Sequence, residues 1–428
     1  MVWEKVSSSI IEWRRDFHRH PELGFLEMRT ASIVAQELSD LGYKLRLGKE
    51  VMKEEAAMGR PSEEEISRHV EWAKEHGAKL DFLDHFTEGY TGIVASLDTG
   101  REGPTIAFRV DMDALPIFES KDENHLPNQL GFRSLADGVM HACGHDAHTS
   151  IGLGLATLVK YYEDQLSGVV KIIFQPAEEG TRGAKSMVEA GVVDDVDYFI
   201  ATHVGTGVPH KQFVASNNNF LATSKIDLRF KGRAAHAGSE PEQGSNALLA
   251  ASTAILNLHA ISRHSDGMSR VNVGEIAGGL GRNIVPSEAS LKIETRGETR
   301  QVNEFMKEQV KKIVTGAASM YDNDVEIELV GEAINTVCSA DFAELLHEVA
   351  IEHPSIEKSV IQADKNAGSE DATYFIERVK EQGGLATYAI FGTELAAGHH
   401  NEKFDIHEDT LLTAVEVLFS LTKRLSKS

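Results

Sequence analysis

Four short apolar runs constrain this chain most: TGIVASL (91–97), TIAFRVD (105–111), VVKIIFQ (169–175) and YFIAT (198–202). Their apolar residues are consecutive rather than alternate. A strand with one solvated face alternates; a strand covered on both faces does not. The runs therefore predict a sheet buried on both sides. Helical patterns lie between them, IGLGLATLVKYY (151–162) and AKSMVEAG (184–191). Upstream, Val6, Ile10, Trp13 and Phe17 recur at helical spacing over 4–19, and a second helix fits 27–41 ahead of Gly42. Strands alternating with helices predict a mainly parallel α/β sheet, with ligands at the carboxyl ends of its strands.

The pattern changes between 216 and 330. SKIDLRFKG reads as a strand and NALLAASTAILNLHAI as a helix. SRVNVGEIAG and SEASLKIETRG are strands joined by the glycine-rich GGLGRNIVP. VNEFMKEQVKKIVTGAASM is a helix and DVEIELVG a strand. The order βαββαβ is the split ferredoxin-like unit. It predicts a domain, 216–330, inserted into an α/β domain made of 1–215 and 331–428, which ends in the strand ATYAIFG and a helix near 408–425. A length of 428 residues suits two domains. The charge-rich segment 48–88, with a Ser62–Glu65 capping box before a helix ending near Gly77, is expected to be an exposed helical excursion.

A net charge of -23 argues against a nucleic-acid or anionic-membrane partner. No apolar run is long enough to span a bilayer. MVWEKVSSSIIEWRRDFHRH lacks the apolar region and cleavage site of a signal peptide. Cys143 and Cys338, the two cysteines, make no disulfide framework, so a reducing cytoplasm is expected.

Ligand-type residues gather where the predicted strands end. RVDMDALPI supplies Asp111 and Asp113, FQPAEEG supplies Glu178 and Glu179, and ATHVG supplies His203. VMHACGHDAHTSIG holds His141, Cys143, His145, Asp146 and His148; GHHNEKFDIHED holds His399, His400 and His407. Cys143 and His145 are two apart, so in an extended segment they face the same way. Thiolate and imidazole suit a zinc-like ion. Cys143, His145, Glu179, His203 and one C-terminal histidine would meet the needs of a two-ion hydrolytic site, whose ions lie roughly 3.5–4 Å apart. Of two adjacent glutamates, one can ligate while the other acts as general base on a water whose pKa the metal lowers to about 7. His18 and His20 precede Pro21 at a helix end and read as helix termination and packing. Asp146 and His148 read as the first turn of the apolar helix, where the dipole favours a carboxylate. His141 reads as support.

In order and spacing, DFHRHPELGF, RVDMDALPI, MHACGHDAHT, FQPAEEG, ATHVG, GRAAHAG, GRNIVP, AGSEDATYF and HHNEKF resemble a metallopeptidase and amidohydrolase family. It includes aminoacylases, hippuricase, auxin-conjugate hydrolases and bacterial p-aminobenzoyl-glutamate hydrolase. The match runs through nearly the whole chain. The 48–88 segment and HHNEKF look most like the p-aminobenzoyl-glutamate hydrolase branch, in particular its catalytic, A-type chain. Most acyl-amino-acid relatives have histidine-serine-proline where this chain has His400-Asn401-Glu402.

The resemblance implies that Cys143 bridges two divalent ions, zinc or manganese. His145 and His203 would complete one shell, and Glu179 and His400 the other. His400 is preferred to His399 because it lies four residues before Phe404. Glu178 is implied as general base and later proton donor to the leaving amine. Asp113 is implied as the carboxylate behind a metal ligand. Asp111 sits where more distant relatives place a metal-binding histidine and is not counted as a ligand. The inserted domain is implied to dimerise and act as a lid. His236 would reach across the dimer to the scissile carbonyl as an oxyanion donor, and Asn283, in the glycine-rich turn, would contact substrate.

The implied reaction is hydrolysis of the amide bond of an N-acyl or N-aroyl amino acid. p-Aminobenzoyl-glutamate is the first substrate to test; N-acetyl, N-benzoyl or indole-acyl amino acids and dipeptides are the alternatives. The implied partner is a second copy or a related chain of B type. A cysteine hydrolase with Cys143 as nucleophile would leave the glutamate pair without a role. A non-catalytic, metal-binding partner chain would need no base beside its ligand. Arg182 and Arg282 could meet a substrate carboxylate, surface exposure being the alternative for each.

Overall fold

The structure is a computed structural model that describes residues 2–364 and 368–427. In chain order the first strands are β1 (Lys44–Leu47), β2 (Ile93–Asp98), β3 (Thr105–Asp111), β4 (Val169–Gln175), β5 (Tyr198–Val204) and β6 (Gln212–Ser216). Then come β7 (Ala222–Lys231), β8 (Ser269–Gly278), β9 (Glu288–Gly297) and β10 (Asp324–Ala333), followed by β11 (Lys358–Gln362) and β12 (Leu385–Phe391).

The chain divides into two compact units. The first comprises 2–219, 336–364 and 371–427 of the described residues, the second 220–335 with 368–370. The sequence expectation drew the divisions at 215 and 330; the structure draws them a few residues later, because β7 starts only at Ala222 and β10 runs on to Ala333.

The first unit holds an eight-stranded sheet, order β1-β2-β4-β3-β5-β12-β6-β11. At its centre β4, β3, β5 and β12 are parallel neighbours. β1 and β2 join antiparallel at one edge, and β6 meets β12 antiparallel. The sheet is mainly parallel, as the uninterrupted apolar runs require: these central strands are buried over nearly their whole length. Helix His145–Tyr161 packs on β3, and Val2–Arg19 and Asp409–Leu425 pack on that helix. The fit is close. A Cβ on Gly152 would stand 2.9 Å from the Phe174 ring and from Val110 Cγ2.

In the second unit an antiparallel sheet, order β10-β7-β9-β8, carries helices Ala247–Leu258 and Arg300–Met320. The chain order βαββαβ is the ferredoxin-like one. Ile226, Leu228 and Phe230 pack with Ala250, Leu291 and Val310 in its core.

One expectation is overturned. The 48–88 segment is not an exposed excursion. Its helix Glu63–Glu75 begins at the Ser62–Glu65 capping box, as read, but Ile66, Val70, Ala73, Leu83 and Phe86 are buried in the main core. Its high charge lies on the outer face of elements that are packed on the inner one. No helix among the described residues is long and apolar enough to cross a membrane.

Candidate metal centre

Parallel neighbours end at one edge of a sheet, so β3, β4, β5 and β12 deliver their following residues to one place. β3 delivers Asp111 and Asp113, β4 delivers Glu178 and Glu179, β5 carries His203, and the chain after β12 brings His399 and His400. Cys143 and His145 arrive from the turn into helix His145–Tyr161. That turn needs glycine between them: Gly144 has φ 90°, and a Cβ there would stand 2.8 Å from Val204 Cγ2.

The loop bearing the glutamate pair is held by buried carboxylates. Ala177 N donates to Glu27 Oε1 at 2.8 Å. Glu178 N and Glu179 N donate to Asp113 Oδ1 and Oδ2 at 3.1 and 2.9 Å. Gly183 N and Ala184 N donate to Asp371 Oδ2 at 3.2 and 3.0 Å. Burial, with the Asp113 charge, pushes the Glu27 carboxyl up to about 8. Sequence reading missed Glu27 and Asp371 as supports; their separation from the loop along the chain leaves no periodic signal.

The ring nitrogens of two histidines are sorted by their partners. His145 Nδ1 lies 3.1 Å from Asp113 Oδ1, and its Nε2 has no hydrogen-bond partner among the described residues. His203 Nδ1 donates to Val204 O at 2.8 Å, leaving Nε2 3.5 Å from Cys143 Sγ. Fixing one nitrogen so that the other faces inward is how metal-binding imidazoles are oriented. Glu179 Oε1 also has no hydrogen-bond partner among the described residues and lies 3.4 Å from His400 Nε2. His145 Nε2 is 3.8 Å from Glu178 Oε2. Two ligand atoms on one tetrahedral ion are about 3–4 Å apart, so the His203–Cys143 and Glu179–His400 spacings each fit a shared cation, with Glu178 beside them. Cys143, Glu179 and His400 form one group with ligand atoms within 4.8 Å of one another; His145, Glu178 and Glu179 form another.

Electrostatics point the same way. Burial pushes the Cys143 thiol well up, and the nearby Glu179 charge adds to it. A bare thiolate is thus disfavoured, and a cation is what would hold one. Burial, then His148 and His399, keep His203 well below the ordinary imidazole range, so it is a neutral donor. Burial opposes charge on His145, but Asp111 and the Asp113 hydrogen bond outweigh it and raise its pKa well above the ordinary value. A metal would displace that proton.

The remaining candidates separate clearly. His148 Nδ1 lies 2.6 Å from Asp111 Oδ1 and its Nε2 accepts from Val204 N at 2.9 Å, so both its nitrogens are engaged. Asp111 is also bound by Arg109 Nη1 at 2.7 Å. His18 sits between Asp146 Oδ2 (2.8 Å) and Glu119 Oε1 (3.0 Å), and His20 Nδ1 donates to Asp16 O. Asp146 also receives Arg14 Nε at 2.9 Å. His141 is buried with neither ring nitrogen hydrogen-bonded among the described residues. His399, set aside by sequence reasoning, groups with Cys143 and His203, although its Nε2 donates to Val204 O at 3.2 Å. His407 faces His210, ring centres 4.6 Å apart. Arg282 is exposed, whereas Arg182 is partly buried and bonded to two carbonyls.

In the second unit His236 is exposed, and its Nδ1 accepts from Gly238 N and Ser239 N at 3.1 Å each, which leaves the proton on Nε2. Asn283 O accepts from Ala237 N at 3.0 Å, so these two distant motifs are neighbours.

The family profile of peptidase family M20/M25/M40 matches residues 107–424. An indole-3-acetyl-aspartic acid hydrolase of Enterobacter agglomerans is 53% identical over 95% of this chain and 93% of its own length. The A-type chain of the p-aminobenzoyl-glutamate hydrolase of Escherichia coli is 52% identical over 96% of this chain and 95% of its own. A crystal structure of an aminobenzoyl-glutamate utilization protein from Klebsiella pneumoniae matches with a TM-score of 0.85 at 48% identity, covering 99% of this chain and 96% of that one.

Proposed function

The chain belongs to peptidase family M20/M25/M40 and is a hydrolase of amide bonds; from that premise we propose that it cleaves an aromatic acyl group from an acidic amino acid, with p-aminobenzoyl-glutamate as the first substrate. The named substrates of the two relatives above both join an aromatic acyl group to aspartate or glutamate. The observation that carries the mechanism is Asp113, which holds His145 and the amides of both glutamates at once.

Cys143, His145, His203, Glu179 and His400 would hold two divalent ions, zinc or manganese, with Cys143 shared between them. Bound ions supply Lewis acidity toward a water and the scissile carbonyl. Glu178 takes the proton of the attacking water and passes it to the leaving nitrogen. The water oxygen adds to the carbonyl carbon to give a tetrahedral oxyanion, and the C–N bond breaks as that species collapses and the leaving nitrogen takes the proton from Glu178, giving a carboxylic acid and a free amino acid. Asp113 keeps the ligand and the base in register. His236, its proton held on Nε2, donates to the developing oxyanion in the site of a partner protomer, and Asn283 contacts substrate. The second unit dimerises, and its partner is a second copy or a related B-type chain. The two free cysteines suit the cytoplasm.

Cys143 as nucleophile is disfavoured by the partly buried thiol's raised pKa, since thiolate is the reactive form. The test is an assay of chelator-stripped chain reconstituted with zinc or manganese. The substrates are p-aminobenzoyl-glutamate, indole-3-acetyl-aspartate, hippurate and N-acetyl amino acids. Metal-dependent cleavage of the first two, at least about tenfold above hippurate in kcat/KM, is expected. Cleavage by the stripped chain, or of none of the panel, sinks the reading.

A further inference from the structure

Residues 48–88 take no part in the chemistry above, yet they are tied to the loop that carries the glutamate pair. Arg182 donates from Nε to Glu179 O at 2.9 Å and from Nη1 to Gly59 O at 3.0 Å. The guanidinium is walled in: it lies 5.4 Å from the Phe25 ring centre, and a Cβ on Gly24 would stand 2.3 Å from Nη2. A second tie lies just beyond. Lys53 N donates to Ser186 O at 3.0 Å, and Ser186 Oγ donates to Lys53 O at 2.7 Å. Further along, the segment is fixed to the second N-terminal helix, Met28–Asp40, and to the stretch that precedes it. His69 Nε2 lies 2.9 Å from Glu22 Oε1, and Arg29 Nε donates to His76 O at 2.7 Å.

We propose that the 48–88 segment is a strut that sets the backbone of the glutamate loop, with Arg182 as the positioning residue that connects them. The loop needs outside support. Ala177 and Thr181 have φ of 52° and 59°, in the left-handed region that non-glycine residues occupy at a cost of about 1–3 kcal/mol each. Asp113 holds the amide of Glu179, and Arg182 holds its carbonyl, so the peptide planes on both sides of the side chain are fixed. A planar fork can span carbonyls from two segments; the point charge of a lysine cannot do so with the same geometry. Gly59 is thereby linked through one side chain to a residue read as a metal ligand. The proposal rests on that reading of Glu179.

The test is zinc affinity, by competition with a chromogenic chelator, in wild type, Arg182→Lys, Arg182→Ala and Ser186→Ala, beside steady-state kinetics on p-aminobenzoyl-glutamate. Both Arg182 variants are expected to bind zinc about tenfold or more weakly, with kcat lowered and KM within about twofold. Added guanidinium should recover part of the loss in Arg182→Ala. Ser186→Ala should shift zinc affinity in the same direction by less. Folded Arg182 variants with wild-type zinc affinity and kcat overturn the proposal. Should those variants fail to fold, wild-type affinity in Ser186→Ala overturns it. Failure of the functional reading looks different: the wild-type chain itself would bind no zinc.

Discussion

At the scale of single residues, His18 shows how a ligand-type side chain is spent on structure. Its buried ring bridges Asp146 and Glu119, with Arg14 on the same Asp146 and His125 on the same Glu119. Burial and Arg14 disfavour its charge, but the hydrogen bonds it donates to both carboxylates outweigh them and raise its pKa to about 9. A raised pKa means the folded state binds a proton the unfolded state has lost. The stabilisation is complete below about 6.5 and is lost as pH rises through about 9. Its size is of order 3 kcal/mol. Urea denaturation of wild type and His18→Gln at pH 6 and pH 9.5 should show the wild-type advantage shrinking with pH; a constant advantage counts against the ion pair. The Cys-x-His and Glu-Glu patterns were legible because residue type and spacing carry them. The double use of Asp113 and the engagement of both nitrogens of His148 were not, because each depends on backbone amides brought close only by the fold.

At the scale of elements, the sheet places the chemistry, and the helix that begins at His145 must lie close to it. Gly152→Ala gains roughly 1 kcal/mol of helix propensity but drives a methyl into Phe174 and Val110. Overpacking of this kind costs about 1–3 kcal/mol, so net destabilisation with a lowered thermal midpoint is expected. An unchanged midpoint means the helix can move off the sheet. The central strands and the βαββαβ order were legible from uninterrupted and alternating apolar patterns. β1, β6 and β11 were not, being four or five residues long, with β1 and β11 partly exposed. The 48–88 segment misled because its charges outnumber the few apolar residues that anchor it.

At the scale of the whole molecule, the proposed activity draws on both units. His236 and Asn283 belong to the second unit, the ligands and Glu178 to the first. If His236 serves the partner's site, a dimer of Glu178→Gln with His236→Ala contains one site with both residues intact. An equal mixture of the two inactive variants, after exchange of protomers, should regain about a quarter of wild-type turnover. A mixture as inactive as its parts means His236 does not act across a dimer. The central claim is that Glu178 moves the proton at a metal centre it does not build. It is tested most directly by measuring, in Glu178→Gln, bound metal per chain and kcat on p-aminobenzoyl-glutamate together. Wild-type metal content with kcat lowered about 10²-fold or more is the predicted result. Wild-type metal content with wild-type kcat would contradict the claim.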